Sequence, residues 1–532
     1  MSMQKLGTLI FLFFLSFAAK ADVDASWLSA LAGDDPDARI AAVNNIAASG
    51  NPQAAAILSA LKDENLYAKE SSVYLVNGDM ATDLASGKSL TLPPEAEAIT
   101  INNRLRGVLE TALSGLRLFS ADKATRLAAA TDLEKDVTPE QLPLLNKAYL
   151  QENDAAIKSL LQMLIATVNL QSTDPVVRKT AIKALVDSPN ANLKPVLQKM
   201  LAQNADGSYS EPDPGIRVEA ATTLNAINAH IARAELVGNL FYGVSLGSVL
   251  LLAALGLAIT FGLMGIINMA HGELLMIGAY TTYVCQMLFR HFLPAYEDAY
   301  LLLALPASFL VAAAVGILLE RTVIRWLYGR PLETLLCTWG ISLVLMQTVR
   351  SIFGAQNVEV SNPSWMSGGV TVMGSLVLSY NRIIIIFFAL FVVMAVWLIL
   401  NKTRLGLFVR AVTQNRRMAD CVGVATGKID MLTFGLGSGI AGLGGLALSQ
   451  LGNVGPDLGQ SYIVDSFMVV VLGGVGQLAG TVIAAFGLGE VNKFLEPVAG
   501  AVMAKIVILI FIIIFIQRRP QGLFALKGRS VE

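Results

Sequence analysis

In the stretch GIINMAHGELLMIGAY, residues 265–280, Asn268, His271 and Glu273 fall within six positions of one another among apolar neighbours. An amide, an imidazole and a carboxylate at this spacing could hydrogen-bond a polar solute or carry a proton. At membrane depth such groups are costly unless they face protein or water. Two readings are open: a solvated loop at the membrane surface, or a polar break that lines a pathway. Nothing else joins these residues into a catalytic set. The histidines His230, His271 and His291 and the cysteines Cys285, Cys337 and Cys421 show no metal-ligand spacing. GVATGK, Gly423–Lys428, falls one residue short of a P-loop between its glycines, and Ile429 stands where Ser or Thr is needed. The chain reads as a non-enzyme, with no catalytic residue, no metal and no cofactor.

The surrounding elements must explain why polar groups sit there. The chain has 532 residues, a formal net charge of −1 and 54% hydrophobic residues. A near-neutral chain offers no global basic field for nucleic acid. Charges are frequent up to about residue 235 and sparse beyond it. From there, apolar runs lie near 237–262, 271–289, 300–319, 333–352, 383–400 and 429–450, each long enough for a membrane span. Three tighter runs follow near 462–475, 478–490 and 499–516. Gly473, Gly474, Gly476 and Gly480 break the first two, which read as half-helices or tilted spans. Basic residues concentrate in 320–333, in 401–428 and in the tail with Arg518, Arg519, Lys527 and Arg529, whereas 353–380 and 452–461 hold none. The positive-inside rule makes the three basic stretches cytoplasmic. A non-cytoplasmic N-terminal domain and a cytoplasmic tail require an odd number of crossings, nine or seven rather than eight. The break near 265–272, flanked by Gly262, Gly265, Gly272 and Gly278, then falls between the first two spans, as in a discontinuous helix.

Ahead of the spans, residues 1–21 read as a secretory signal peptide: Lys5, a short apolar core and Ala19-Lys20-Ala21. Residues 22–235 form an exported domain. In it Asp, three residues, Arg and a small apolar run recur as DPDARIAAV from Asp35, DKATRLAAA from Asp122, DPVVRKTAI from Asp174 and DPGIRVEAA from Asp213. Asp suits an N-cap, and proline after it suits the first turn. Helix pairs of this kind stack, and the unequal intervals indicate a degenerate array resembling HEAT repeats. Residues 73–100 interrupt it with a hairpin-like insertion around Asn77-Gly78. The fold class is all-α: the exported repeat domain, then a polytopic helical domain over 236–532.

Four ordered motifs make the second half familiar: GSVLLLAALGLAITFGLMGIINMAHGELLMIGAY (Gly247–Tyr280), TRLGLFVRAVTQNRRMADCVGV (Thr403–Val424), LTFGLGSGIAGLGG (Leu432–Gly445) and FMVVVLGGVGQLAGT (Phe467–Thr481). Residues 236–526 resemble the branched-chain amino-acid permease family of ABC importers. The pieces Ser449–Thr481 and Arg518–Phe524, with the long exported domain, most resemble its urea-transport branch. Gln477-Leu478 departs from the Ser-Ile or Ser-Leu common in the amino-acid branch. The resemblance implies a bacterial inner-membrane, multi-pass subunit with a periplasmic N-terminal domain and a cytoplasmic C-terminus. It implies as partners a second permease subunit, two ATP-binding subunits and a periplasmic substrate-binding protein, besides membrane lipid. It makes the loop near 401–428 the site of ATPase coupling, with Arg404, Gly406, Arg410, Gln414 and Asn415; Gly406 is expected to permit a turn before a short helix. Urea needs carbonyl acceptors and a donor for its oxygen. Asn268, Asn453 and Gln460 suit that chemistry, and Asp465, His271 and Glu273 complete the expected translocation path. His271 and Glu273 could pair with each other or with a neighbouring loop. The alternatives are a branched-chain amino-acid permease and, from another class, an autonomous urea channel.

Overall fold

The computed structural model describes residues 24–524 apart from 50–52, 78–79, 135–136, 189, 205–206 and 374–375. The signal peptide expected at 1–21, and Lys527 and Arg529 of the tail, lie outside the described residues. The chain divides into two compact units, one up to Ile231 and one from Ala232.

The first unit contains α1 (Ala25–Ala32), α2 (Pro36–Ala48), α3 (Ala54–Lys62), α4 (Asn103–Arg117), α5 (Lys123–Leu133), α6 (Leu142–Gln151), α7 (Ala155–Asn169), α8 (Pro175–Ala184) and α9 (Leu193–Leu201). Three apolar clusters succeed one another along it. Leu28, Ile46, Leu58 and Leu109 centre the first; Leu133, Leu145 and Leu161 the second; Ile182, Leu197 and Ile216 the third. The recurring Asp–Arg pattern has a local cause. Asp35, Asp122 and Asp174 accept from the backbone N–H of Asp37, Thr125 and Val176, capping α2, α5 and α8. The arginine one turn later folds back over the preceding loop. Arg126 Nη1 donates to the carbonyls of Ser120 and Ala121 at 3.0 and 3.1 Å, and Arg178 Nη1 to those of Ser172 and Thr173 at 2.8 and 3.0 Å. The other edge of each guanidinium grips a carboxylate with two hydrogen bonds, Arg126 on Glu152 and Arg178 on Glu211.

The insertion is larger than a hairpin. A five-stranded antiparallel sheet, β1 (Leu66–Lys69), β2 (Ser72–Asn77), β3 (Met80–Asp83), β4 (Ser89–Leu90) and β5 (Glu97–Ala98), has the order β4-β3-β2-β1-β5. It begins before residue 73 because Leu66 alternates with polar Tyr67 and Lys69 and pairs with Leu75. Leu66 and Val73 join the first apolar cluster. The fold is therefore helical with a β insertion rather than all-α, and the sheet accounts for the longest interval between Asp–Arg patterns.

α10 (Pro214–Met264) begins in the first unit, and the second is built on its part from Ala232 together with α11 (His271–Phe292), α12 (Tyr300–Thr322), α13 (Pro331–Phe353), α14 (Tyr380–Lys402), the short α15 (Arg404–Gln414) and α16 (Arg416–Cys421), then α17 (Thr426–Ser449), α18 (Leu458–Gly473), α19 (Leu478–Ala499) and α20 (Ala501–Arg518). Seven helices among the described residues are long and apolar enough to cross a membrane. Burial ranks them: the apolar windows of α10 and α17 are 83% buried, those of α13 and α14 22%. α17 is the hub because its glycines admit other backbones. A Cβ on Gly442 would collide with Ser308 of α12, and one on Gly278 of α11 would collide with Gly442. The run read as a short segment at 478–490 is a 22-residue helix, α19, whereas α18 has only 16 residues. Between α13 and α14, β6 (Gly369–Val372) and β7 (Leu376–Ser379) form a two-stranded ribbon.

Candidate functional site

α10 ends where Gly265, at φ +69°, takes the left-handed conformation that closes a helix, with its N–H bonded to Phe261 O at 3.0 Å. The chain is non-helical to Ala270, and α11 starts at His271. The polar residues of this break are inside the protein: Asn268 and His271 are 0% exposed and Glu273 is 1% exposed. Of the two readings, the solvated surface loop is excluded.

Each side chain is held by a different neighbour. Asn268 Oδ1 accepts from Ala270 N at 3.0 Å and starts the turn into α11. His271 Nε2 lies 2.9 Å from the Ala253 carbonyl of α10. A carbonyl only accepts, so Nε2 carries the proton there. Ser342 of α13 donates to Glu273 Oε1 at 2.9 Å. Thr338, one turn earlier on α13, accepts from Met269 N at 3.1 Å. No hydrogen bond joins His271 to Glu273 among the described residues, so of the two pairings left open the mutual one does not occur. Asn268 Nδ2, His271 Nδ1 and Glu273 Oε2 are buried with no hydrogen-bond partner among the described residues.

The other expected path residues lie elsewhere. Asn453 lines a polar cavity of about 610 Å³ with Asn357, Arg382, Asp457, Ser461 and Asn492. Asp465 is buried and accepts from Lys505, a residue of the cavity wall, at 3.0 Å. Gln460 is exposed. The wall is ionic, but most of its charges are paired: Lys493 with Glu496, Lys505 with Asp465, and Asp457 with Arg350 of α13. Arg382 is different, donating to Ser245 Oγ at 3.3 Å and lying 5.2 Å from the Tyr242 ring.

The loop near 401–428 folds as α15 and α16. Gly406 is not a turn before the helix; it lies inside α15, where a Cβ would collide with the Leu400 carbonyl. Arg404, Arg410, Gln414 and Asn415 are exposed, and Asn415 caps α16 through Met418 N at 2.9 Å. Arg416 is bound within the chain, to Asp430 and over the Tyr328 ring. Thr413 donates to Leu263 O at 3.0 Å, tying α15 to the last turn before the break. Sequence reasoning missed Thr413, Thr338 and Ser342, which look like ordinary helix residues without their distant partners. It also missed exposed Leu407, Met418 and Val422, which add apolar surface beside the exposed arginines.

Comparison with known proteins agrees with this architecture. Residues 239–516 match the family of the branched-chain amino acid transport system, permease component. The high-affinity branched-chain amino acid transport system permease protein BraD of Pseudomonas aeruginosa is 29% identical over 287 residues, covering 53% of this chain and 93% of that protein. LivH of Escherichia coli strain K12, of the same description, is 27% identical over 293 residues, covering 53% and 94%. The ribose import permease protein RbsC of the same strain is 32% identical over 112 residues, 20% of this chain and 35% of that protein. No solved structure matches. With the matched span running from within α10 into α20, the chain belongs to the branched-chain amino acid transport permease family.

Proposed function

We propose that the chain is the permease subunit of a bacterial ABC importer that carries urea or a similar short amide across the inner membrane. The observation that carries this reading is the buried break, where an amide donor and two acceptors have no partner among the described residues, in a chain that matches a family of transport permeases. A neutral solute with both donors and acceptors matches such groups and leaves as readily as it binds. Asn268, His271, Glu273, Asn453, Gln460 and Asp465 are assigned to the path. Arg404, Gly406, Arg410, Gln414 and Asn415 are assigned to the ATPase contact. Hydrolysis then belongs to two ATP-binding partners, with a second permease subunit and a periplasmic binding protein completing the importer. The N-terminal unit is assigned to the periplasm as a HEAT-like array, and the tail to the cytoplasm.

A branched-chain amino-acid substrate is the second reading. The names of BraD and LivH favour it, as does Arg382, a cavity cation with no carboxylate among its hydrogen-bond partners in the described residues, which suits an amino-acid carboxylate. Uptake into vesicles containing the assembled transporter separates the two. The urea reading expects labelled urea to enter and unlabelled leucine not to compete; leucine uptake that urea leaves unchanged would replace it. Urea uptake that persists when the partners' ATP hydrolysis is blocked would instead indicate an autonomous channel.

A further inference from the structure

Helices α14 and α19 leave much of their surface uncovered: their apolar windows are 22% and 33% buried. A cavity of about 740 Å³ runs between them. Leu390, Met394 and Trp397, about one turn apart on α14, form one wall. Leu478, Val482 and Ile483 of α19 form the other. Helix α15 closes one end, and Gly406 brings it there. With no Cβ, Gly406 packs directly on the Leu400 carbonyl at the end of α14. One turn later Arg410 reaches the cavity, where its Nη1 donates to Asn401 Oδ1 at 3.3 Å. Gln477, the residue before α19, completes this end.

The cavity is thus apolar along its walls and basic at one end. No Asp or Glu lines it, and Lys402 and Arg404, both exposed, add two cations near the same end. This separates it from the cavity that holds Asn453, where Asp457 and Glu496 share the wall with the cations. An exposed apolar groove between spans calls for a cover. An apolar helix of another subunit would cover the walls and leave Arg410 without a counter-charge. A phospholipid answers both halves. Its acyl chain matches the walls, and its phosphate accepts from a guanidinium through two oxygens. Trp397 also fits, because an indole favours the level where hydrocarbon gives way to headgroups. Basic pockets between spans on the cytoplasmic side select anionic headgroups.

We propose that the groove between α14 and α19, closed by α15, seats a phospholipid with an anionic headgroup. One acyl chain lies along Leu390, Met394, Val482 and Ile483, and the phosphate meets Arg410 and the Gln477 amide. The proposal rests on the permease reading for which side is cytoplasmic. It gives Arg410 a lipid partner beside the ATPase contact assigned to it, so the lipid braces α15 at the place where that contact is made.

The test uses the assembled transporter in phosphatidylcholine vesicles. A small fraction of either phosphatidylglycerol or phosphatidylcholine carries a photoreactive group on its acyl chain. After illumination, the modified residues are mapped by peptide mass spectrometry. Adducts on Met394, Trp397 and Ile483 are expected roughly fivefold more often from phosphatidylglycerol, the preference one basic residue gives at an anionic headgroup. Leu336, 65% exposed on α13, should take both lipids equally. Arg410→Gln should remove the preference. Ala479→Phe fills the groove without changing charge and should lower the adducts from both lipids; if it does not assemble, Val482→Phe carries the same test. Absence of adducts at all three groove residues would mean that protein covers the groove, and overturns the proposal. Equal adducts from the two lipids, or adducts that Ala479→Phe leaves unchanged, overturn it too. Urea and leucine uptake by the same vesicles tests the permease reading separately. A phosphatidylglycerol preference in a transporter that carries no solute would support the lipid seat and sink that reading.

Discussion

The Asp–Arg rungs of the N-terminal unit and the polar break of the membrane unit both bury charged or strongly polar side chains, and they treat them in opposite ways. In the rungs, Arg126 and Arg178 each spend one edge on loop carbonyls and the other on a carboxylate, and Glu152 also accepts from the N–H groups of Asn153 and Asp154. In the break, the side chains of Asn268, His271 and Glu273 each make one hydrogen bond and leave one polar atom without a partner among the described residues. A group whose task is to hold a fold gains from complete pairing. A group whose task is to meet a passing solute must keep a donor or acceptor free. Burial alone therefore does not distinguish the two regions; the unmet hydrogen-bonding capacity does.

Substitutions can break this contrast. The largest effect is expected in the rungs. Arg178→Ala leaves Glu211, which is 5% exposed, without its cation. It should destabilise the N-terminal unit by about 3 kcal/mol, read as a lowered denaturant midpoint of residues 22–235. In the membrane unit, Thr338→Val keeps the shape but removes the acceptor for Met269 N. A cost of about 2 kcal/mol is expected, seen as faster thermal inactivation of the detergent-solubilised transporter. Asp174→Ala removes only the cap of α8 and should cost about 1 kcal/mol in the same denaturant assay. The smallest effect is a pH dependence. Hydrogen bonding to Arg126 holds the Glu152 carboxyl below its ordinary value of 4.5. Its contribution to stability is fully present above that value and is lost as pH falls through the lower folded value. Midpoints measured from neutral pH to about pH 3 should therefore fall, and Glu152→Gln should flatten the fall.

The sequence made some of this legible and hid the rest for physical reasons. Asp35, Asp122 and Asp174 could be read as caps because capping is local in the chain. The grip of Arg126 on Glu152 could not, because the two are 26 residues apart and joined only by folding. Asn268, His271 and Glu273 stood out because polar residues are rare in apolar runs. Thr338 and Ser342 did not, since a hydroxyl is unremarkable in a helix until its partner, 69 residues away, is known. The sheet was underestimated because β4 and β5 have two residues each and carry almost no alternation. Gly406 was misread as a turn because a glycine required by a close backbone looks the same in sequence as one required by a bend.

We propose that the break works through its hydrogen-bonding groups and not through a transferable charge or proton. Glu273 tests it most directly, by comparing Glu273→Gln with Glu273→Leu for folded yield and for solute uptake in the assembled transporter. Gln keeps an acceptor for Ser342 and a polar end in the break, so it should retain most of the uptake and a normal yield. Leu leaves the Ser342 hydroxyl unpaired and closes the polar edge, and should lower both. Equal loss of uptake in the two variants, with normal folded yield in each, would mean that the charge itself is required and that hydrogen bonding alone does not explain the break.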